Sequence, residues 1–148
     1  CRCTTSEILR YQKKISGPLL DRFDIVIEVP AVEYDKLLSI EKPESSNVIR
    51  GRVESARTTQ RERLKSMKLF TNNEIHSAEL DVCAPLTPET RSLLEQALRG
   101  NHLSARGYTR VRKVARTISD LAQSEEITVD HMAEALQYRG QDNVQSYG

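Results

Sequence analysis

Apolar residues recur every three or four positions along most of this chain, and that period predicts helices. Ile8, Tyr11 and Ile15 mark the first, behind Thr4-Thr5-Ser6-Glu7, a capping box with Thr4 as N-cap and Glu7 reaching back. Gly17-Pro18 breaks it. Ile49, Val53, Ala56, Gln60, Leu64 and Met67 predict a long helix from about Asn47 to Lys68, weakened near its start by Gly51. Thr71-Asn72-Asn73 ends it and opens an irregular stretch to Pro85. Three capped helices follow. Thr87-Pro88-Glu89 starts one whose buried face is Leu93, Leu94, Ala97 and Leu98, with Gly100 as its stop. Ser104 caps the next, lined by Tyr108, Val111, Ala115, Ile118 and Leu121. Thr128 caps the last, which staples Ile127 against Met132 and runs to about Arg139 before a polar tail.

One segment departs from this period. Residues 24–29 contain Ile25-Val26-Ile27-Glu28-Val29, closed by Pro30, and predict the one strand. A strand must pair its backbone groups, so a lone strand implies either a sheet that other residues build or an exchange of strands between copies. The pattern therefore predicts a mainly α chain: the end of an α/β core, contributing one strand, then a helical bundle. The divisions are 1–30 for the end of the core, 31–84 for a linker and a long helix, and 85–148 for a helical unit that folds by itself.

Composition narrows the classes. The 148 residues suit one domain or two small ones, and 22 basic against 21 acidic residues leave a formal net charge of +1. That near-neutrality hides arginines concentrated in two helical segments. No apolar run approaches membrane-spanning length and no secretory leader opens the chain, which predicts no membrane partner and a cytoplasmic location. Three cysteines do not make a secreted disulfide scaffold. The absence of Trp and the 5% aromatic content argue against a stacking platform for sugars or bases. The chain has no initiator Met and opens on Cys1-Arg2-Cys3, so it reads as a piece excised from a longer protein.

Arginines carry the candidate chemistry. In Leu19-Leu20-Asp21-Arg22-Phe23-Asp24, Arg22 stands between two acids just before the strand-like run, at what would be the rim of a sheet. A guanidinium there suits stabilisation of a transferring phosphoryl group on a neighbouring subunit. An ordinary Asp–Arg surface pair fits the same residues. Arg106 falls in the first turn of the helix capped by Ser104, where the dipole disfavours a cation, and so hints at a phosphate nearby. Arg110 and Lys113 follow at helical spacing, a pattern equally open to a solvated basic face. Arg50, Arg57 and Arg61 stripe the long helix and could track a nucleic-acid backbone, with Arg52, Arg63 and Lys65 nearby, but Glu54 and Glu62 interrupt the positive charge. Cys1 and Cys3 supply at most two of the four ligands of a structural zinc site, and His76 and Cys83 are too loosely spaced to complete it. No Walker A loop, Walker B strand or nucleophile–His–acid set is present, so these residues alone are predicted to be inactive.

Several phrases together resemble one family. Cys-x-Cys, Ile-Ser-Gly-Pro-Leu-Leu-Asp-Arg-Phe-Asp, Ser-Ala-Arg-Gly-Tyr-Thr-Arg, Val-Ala-Arg-Thr-Ile-Ser-Asp-Leu and Glu-Ala-Leu-Gln-Tyr-Arg are similar to signatures of the magnesium-chelatase-like AAA+ ATPases, in the ComM/YifB group. The resemblance implies a hexameric homo-oligomeric ring that uses ATP and Mg2+ to drive branch migration on DNA, as a helicase related to the MCM motors. It implies Arg22 as arginine finger, and Arg106, with Arg110 beside it, at the nucleotide phosphates in the sensor-2 lid. Cys1 and Cys3 would be the second half of a four-cysteine Zn2+ motif whose first half lies upstream. Two other classes stay open: a magnesium chelatase ATPase subunit, and a non-enzymatic helical adaptor in which Arg22 is structural.

Overall fold

The structure is a computed structural model and describes residues 2–12, 14–32, 43–100 and 103–139. The described residues are mainly helical. Their helices are α1 (Thr5–Gln12), α2 (Gly17–Leu20), α3 (Ser46–Leu64), α4 (Leu80–Cys83), α5 (Pro88–Arg99), α6 (Ala105–Leu121) and α7 (Val129–Gln137). Single turns of 3-10 helix at Lys65–Met67, Asn72–Glu74 and Ser77–Glu79 fold the stretch between α3 and α4. The polar tail from 140 onward and the linker residues 33–42 lie outside the described residues.

Local chemistry sets the helix starts. Thr87 accepts from the Thr90 amide, Ser104 from the Gly107 amide and Thr128 from the His131 amide. Each satisfies one of the amides that a helix N-terminus leaves without a partner. His131 returns the favour, its Nδ1 accepting from the Thr128 amide at 3.2 Å. At α1, Glu7 accepts from both the amide and the hydroxyl of Thr4, at 2.7 and 2.8 Å. Gly17-Pro18 opens α2, since Pro tolerates the first turn of a helix, while α1 has already ended at Gln12.

One core joins α3 through α7. Leu64, Ile75, Leu80, Cys83 and Ala84 pack with Leu94, Val111, Ala115, Ile127, Met132 and Ala135 in a single buried cluster. The boundary drawn at residue 85 runs through this cluster. An isolated parallel bridge between Leu86 and Ile127 sets α5 and α7 side by side, each bridge residue standing just before an N-cap. Burial pushes the Cys83 thiol above its ordinary value, with Glu79 adding to the rise, so it packs as an apolar group.

Two expectations change. Residues 24–29 form no strand; the run has no regular secondary structure and its apolar side chains are mostly exposed. No described strand lies beside it, and the Val26 amide donates to the Tyr138 carbonyl at 2.7 Å instead. The apolar stripe of α3 is buried only in its second half. Ala56, Gln60 and Leu64 are buried, while Ile49 and Val53 are exposed.

Candidate functional site

The Arg22 loop, the N-terminus of α6 and the C-terminus of α7 converge at one end of the bundle. Asp21 is the centre. Its Oδ1 accepts from the Ser104 hydroxyl and from Arg139 Nη2, both at 2.9 Å, and its Oδ2 lies 3.6 Å from Arg106 Nη1. The Ser104 hydroxyl thus caps α6 and holds the carboxylate together. An acid at a helix N-terminus is favoured by the dipole, and here it offsets the misplaced cation of Arg106. The Ser104 hydrogen bond holds the Asp21 carboxyl below its ordinary value; partial burial opposes this, and Arg139 and Arg106 reinforce it.

The backbone of the loop is held as well. Arg139 Nη1 donates to the Phe23 carbonyl at 2.7 Å, and Arg110 Nη1 donates to the carbonyls of Asp21 and Arg22 and pairs with Asp24 at 3.4 Å. Gly107 makes room for this approach. A methyl group at that position would press on Leu103 and the Ser104 hydroxyl and meet Arg139 Nη2 at 3.5 Å.

The predicted residues separate into distinct roles. Arg22 is exposed, and among the described residues its guanidinium has no hydrogen bond or ion pair. Arg106 is 57% exposed and, among the described residues, has only the long contact to Asp21. Arg110 is 23% exposed and spends its guanidinium on the loop carbonyls and Asp24. Lys113 turns away to the Asn73 carbonyl at 2.7 Å, and burial lowers its pKa. Arg50, Arg57 and Arg61 are exposed on α3, and Arg57 lines a groove of about 430 Å³ with Gln60, Asn72 and Thr117 between α3 and α6. Arg52 pairs with Glu44 at 2.8 Å. Cys1 lies outside the described residues and Cys3 is exposed.

The sequence reading assigned no role to three buried charged residues, Arg112, Arg116 and Asp120. Asp120 accepts from Arg63, Asn72 and Arg116 with its side chain fully buried. Arg116 also donates to the carbonyls of Glu125 and Ser124, both at 2.7 Å, closing the turn before α7. Arg112 donates to the Leu80 and Ala84 carbonyls and pairs with Asp81 at 2.8 Å. The signal was their spacing: 112, 116 and 120 recur every fourth position, beside the buried 111, 115 and 119. These residues build the scaffold that fixes α6.

The converged end can offer cations to a polyanion. Arg22 and Arg106 fit a phosphate in charge and exposure. Among the described residues no group of three or more His, Cys, Asp or Glu is arranged to hold a metal ion, and the Asp21 carboxylate is already taken up by Ser104, Arg139 and Arg106. No helix among the described residues is long and apolar enough to cross a membrane.

Two family models match consecutive parts of the chain. The model for magnesium chelatase subunit ChlI matches residues 1–37, and that for the C-terminal part of the same subunit matches residues 43–139. Among curated relatives, the competence protein ComM of Haemophilus influenzae is 38% identical over 139 residues, covering 93% of this chain and 26% of that protein. YifB of Escherichia coli is 39% identical over 144 residues, covering 97% of this chain and 28% of that protein. A Mycobacterium bovis protein, Mb2921c, is 32% identical over 141 residues. The chain spans about a quarter of the length of these relatives. With both models in chain order and the arginine-bearing loop and helices inside them, the chain, similar to ComM and YifB, belongs to the magnesium chelatase ChlI family of AAA+ proteins.

Proposed function

We propose that these residues form the C-terminal part of an AAA+ ATPase motor that assembles as a hexameric ring and works on DNA. The observation that carries this reading is the contrast at the converged end. Arg106, Arg110 and Arg139 all engage the loop, while Arg22, at its tip, keeps its guanidinium exposed and without a described partner. A backed cation with its guanidinium exposed suits an arginine finger, which must reach the transferring phosphoryl group of the next subunit. Arg106 suits the lid side of the same chemistry. It sits in the first turn of α6, where backbone amides and dipole favour an anion, and its one long contact leaves it free to turn.

The nucleotide would be ATP with Mg2+, held mainly by Walker A and Walker B residues outside this chain. Bound there, it supplies the phosphoryl group and the metal charge. Arg22 supplies positive charge from across the subunit boundary, and Arg106 from within the subunit. Arg50, Arg57 and Arg61 are candidates for phosphate contacts with DNA, since all three are exposed along α3.

The experiment is ATP turnover by the whole protein with and without DNA. Turnover stimulated by DNA and lost in Arg22→Ala supports the motor. Turnover indifferent to DNA favours the chelatase reading that the family name carries. Turnover unaffected by Arg22→Ala overturns the assignment of the finger.

A further inference from the structure

We propose that Arg139 is a positioning residue for Arg22: through Asp21 and the Phe23 carbonyl it clasps the finger loop to the start of α6, so that the loop and the helix carrying Arg106 move as one body. The inference rests on the reading of Arg22 as a finger.

The loop has few ties of its own. Residues 19–24 are held locally by single-turn bonds, the Arg22 amide to the Leu19 carbonyl and the Phe23 amide to the Leu20 carbonyl, both at 3.0 Å. The flanking apolar side chains Leu19, Phe23, Ile25 and Ile27 are exposed and give the loop no packed seat. Its position therefore depends on polar contacts to α6 and α7. Arg139 makes two of them with its two terminal nitrogens, one to the Asp21 carboxylate and one to the Phe23 carbonyl, both below 3 Å. A planar fork that spans a side chain and a backbone carbonyl fixes direction as well as distance. Its side chain is only 13% exposed, and its Nε is buried without a partner, so the fork is seated in the bundle rather than waving from it. One residue back, the Tyr138 carbonyl receives the Val26 amide. The end of α7 thus grips the loop on both sides of Arg22 and leaves the guanidinium exposed.

A geometric consequence follows. Ser104 and Arg106, which engage the same carboxylate, belong to the N-terminal turn of α6. Any rotation of the helical bundle that brings Arg106 to or from a nucleotide carries Asp21, and with it Arg22. The occupancy of one subunit's site would then set the reach of its finger toward the next.

Amide hydrogen exchange on the 148-residue chain tests the clasp without any nucleotide. Arg139→Ala should speed exchange at Arg22, Phe23 and Val26 by about tenfold or more, with α5 and α6 core amides unchanged. Arg139→Lys should recover only part of the protection, because an ammonium cannot span both acceptors. Unchanged exchange in the loop, or equal loosening of the whole bundle, overturns the proposal. In the whole protein, Arg139→Ala should lower kcat for ATP with KM little changed, as expected for a group that acts only on presentation of the finger. Full kcat in Arg139→Ala beside a dead Arg22→Ala also overturns it. If Arg22→Ala is itself fully active, the finger reading fails and the positioning role with it, while the exchange result still stands as a measure of the clasp.

Discussion

Arg63 of α3 gives both terminal nitrogens to Asp120 of α6, at 2.6 and 2.8 Å, across 57 positions of sequence. Arg116 donates to the same carboxylate from the turn before it, and Asn72 completes the set. The phrase Val-Ala-Arg-Thr-Ile-Ser-Asp-Leu therefore places a buried knot, Arg116 and Asp120, at the join between the long helix and the bundle. Removing the acid strands two arginine charges, one of them almost fully buried. Asp120→Ala should destabilise by about 3–5 kcal/mol, as breaking a buried pair does. Urea unfolding measures this; a loss under about 1 kcal/mol would mean that water reaches the knot.

The same knot predicts a dependence on pH. Burial alone would raise the Asp120 pKa, but the hydrogen bonds of Arg63 and Asn72 and the charges of Arg63 and Arg116 win and hold it below its ordinary value. The unfolded chain then takes up this proton first as pH falls. The stabilisation is whole above about pH 3.9, the unfolded aspartate value, and is lost as pH drops toward the lower folded value. Asp21 acts with the same sign. Thermal melts from pH 7 to pH 3 should show a steep decline at the acid end, shallower in Asp120→Asn.

A third prediction concerns the folding unit. The cluster that includes Leu64, Ile75 and Leu80 on one side of residue 85 and Leu94, Val111 and Met132 on the other is a single core. Residues 43–139 should melt cooperatively as one unit. A chain starting at Pro85 loses the Arg63 contact to Asp120 and the carbonyls that receive Arg112, and should melt at least about 10 °C lower or without cooperativity. Equal melting temperatures for the two chains would make residues 43–84 an appendage.

What the sequence revealed was what the chain decides locally. Thr87, Ser104 and Thr128 cap helices with side chains three residues from their donors, so short-range chemistry was enough to find them. The strand at 24–29 failed for the opposite reason. Its β-branched residues fit a strand, but a strand needs a neighbour, and no described residues provide one. Arg112, Arg116 and Asp120 were missed because charged residues are read as surface. Only the distant partners, such as Asn72 and the Leu80 and Ala84 carbonyls, reveal them as interior. At the candidate site, phrase and spacing pointed to Arg22 and Arg106, but Arg139 and Ser104 became visible only when the loop met the two helix ends.

Arg106 and Arg110 should part company in the whole protein. Arg110 is bound to the carbonyls of Asp21 and Arg22, whereas Arg106, mostly exposed, lies 3.6 Å from Asp21. Arg106→Ala should weaken the response to nucleotide and cut ATP turnover more than Arg110→Ala does. Steady-state turnover at saturating ATP decides between them, and a larger loss in Arg110→Ala would reverse the assignment.

The central claim is that Arg22 serves a neighbouring subunit, and complementation of two dead variants tests it most directly. Pure Arg22→Ala rings should lose on the order of a thousandfold in ATP turnover, the range for an arginine finger. Rings of a variant lacking the Walker A lysine should be dead for want of a phosphate site. If Arg22 acts across the boundary, mixed rings regain turnover at about a quarter of their sites, wherever an intact phosphate loop faces an intact finger. If mixing two inactive variants restores nothing while both still form rings, Arg22 acts within its own subunit and the account is contradicted.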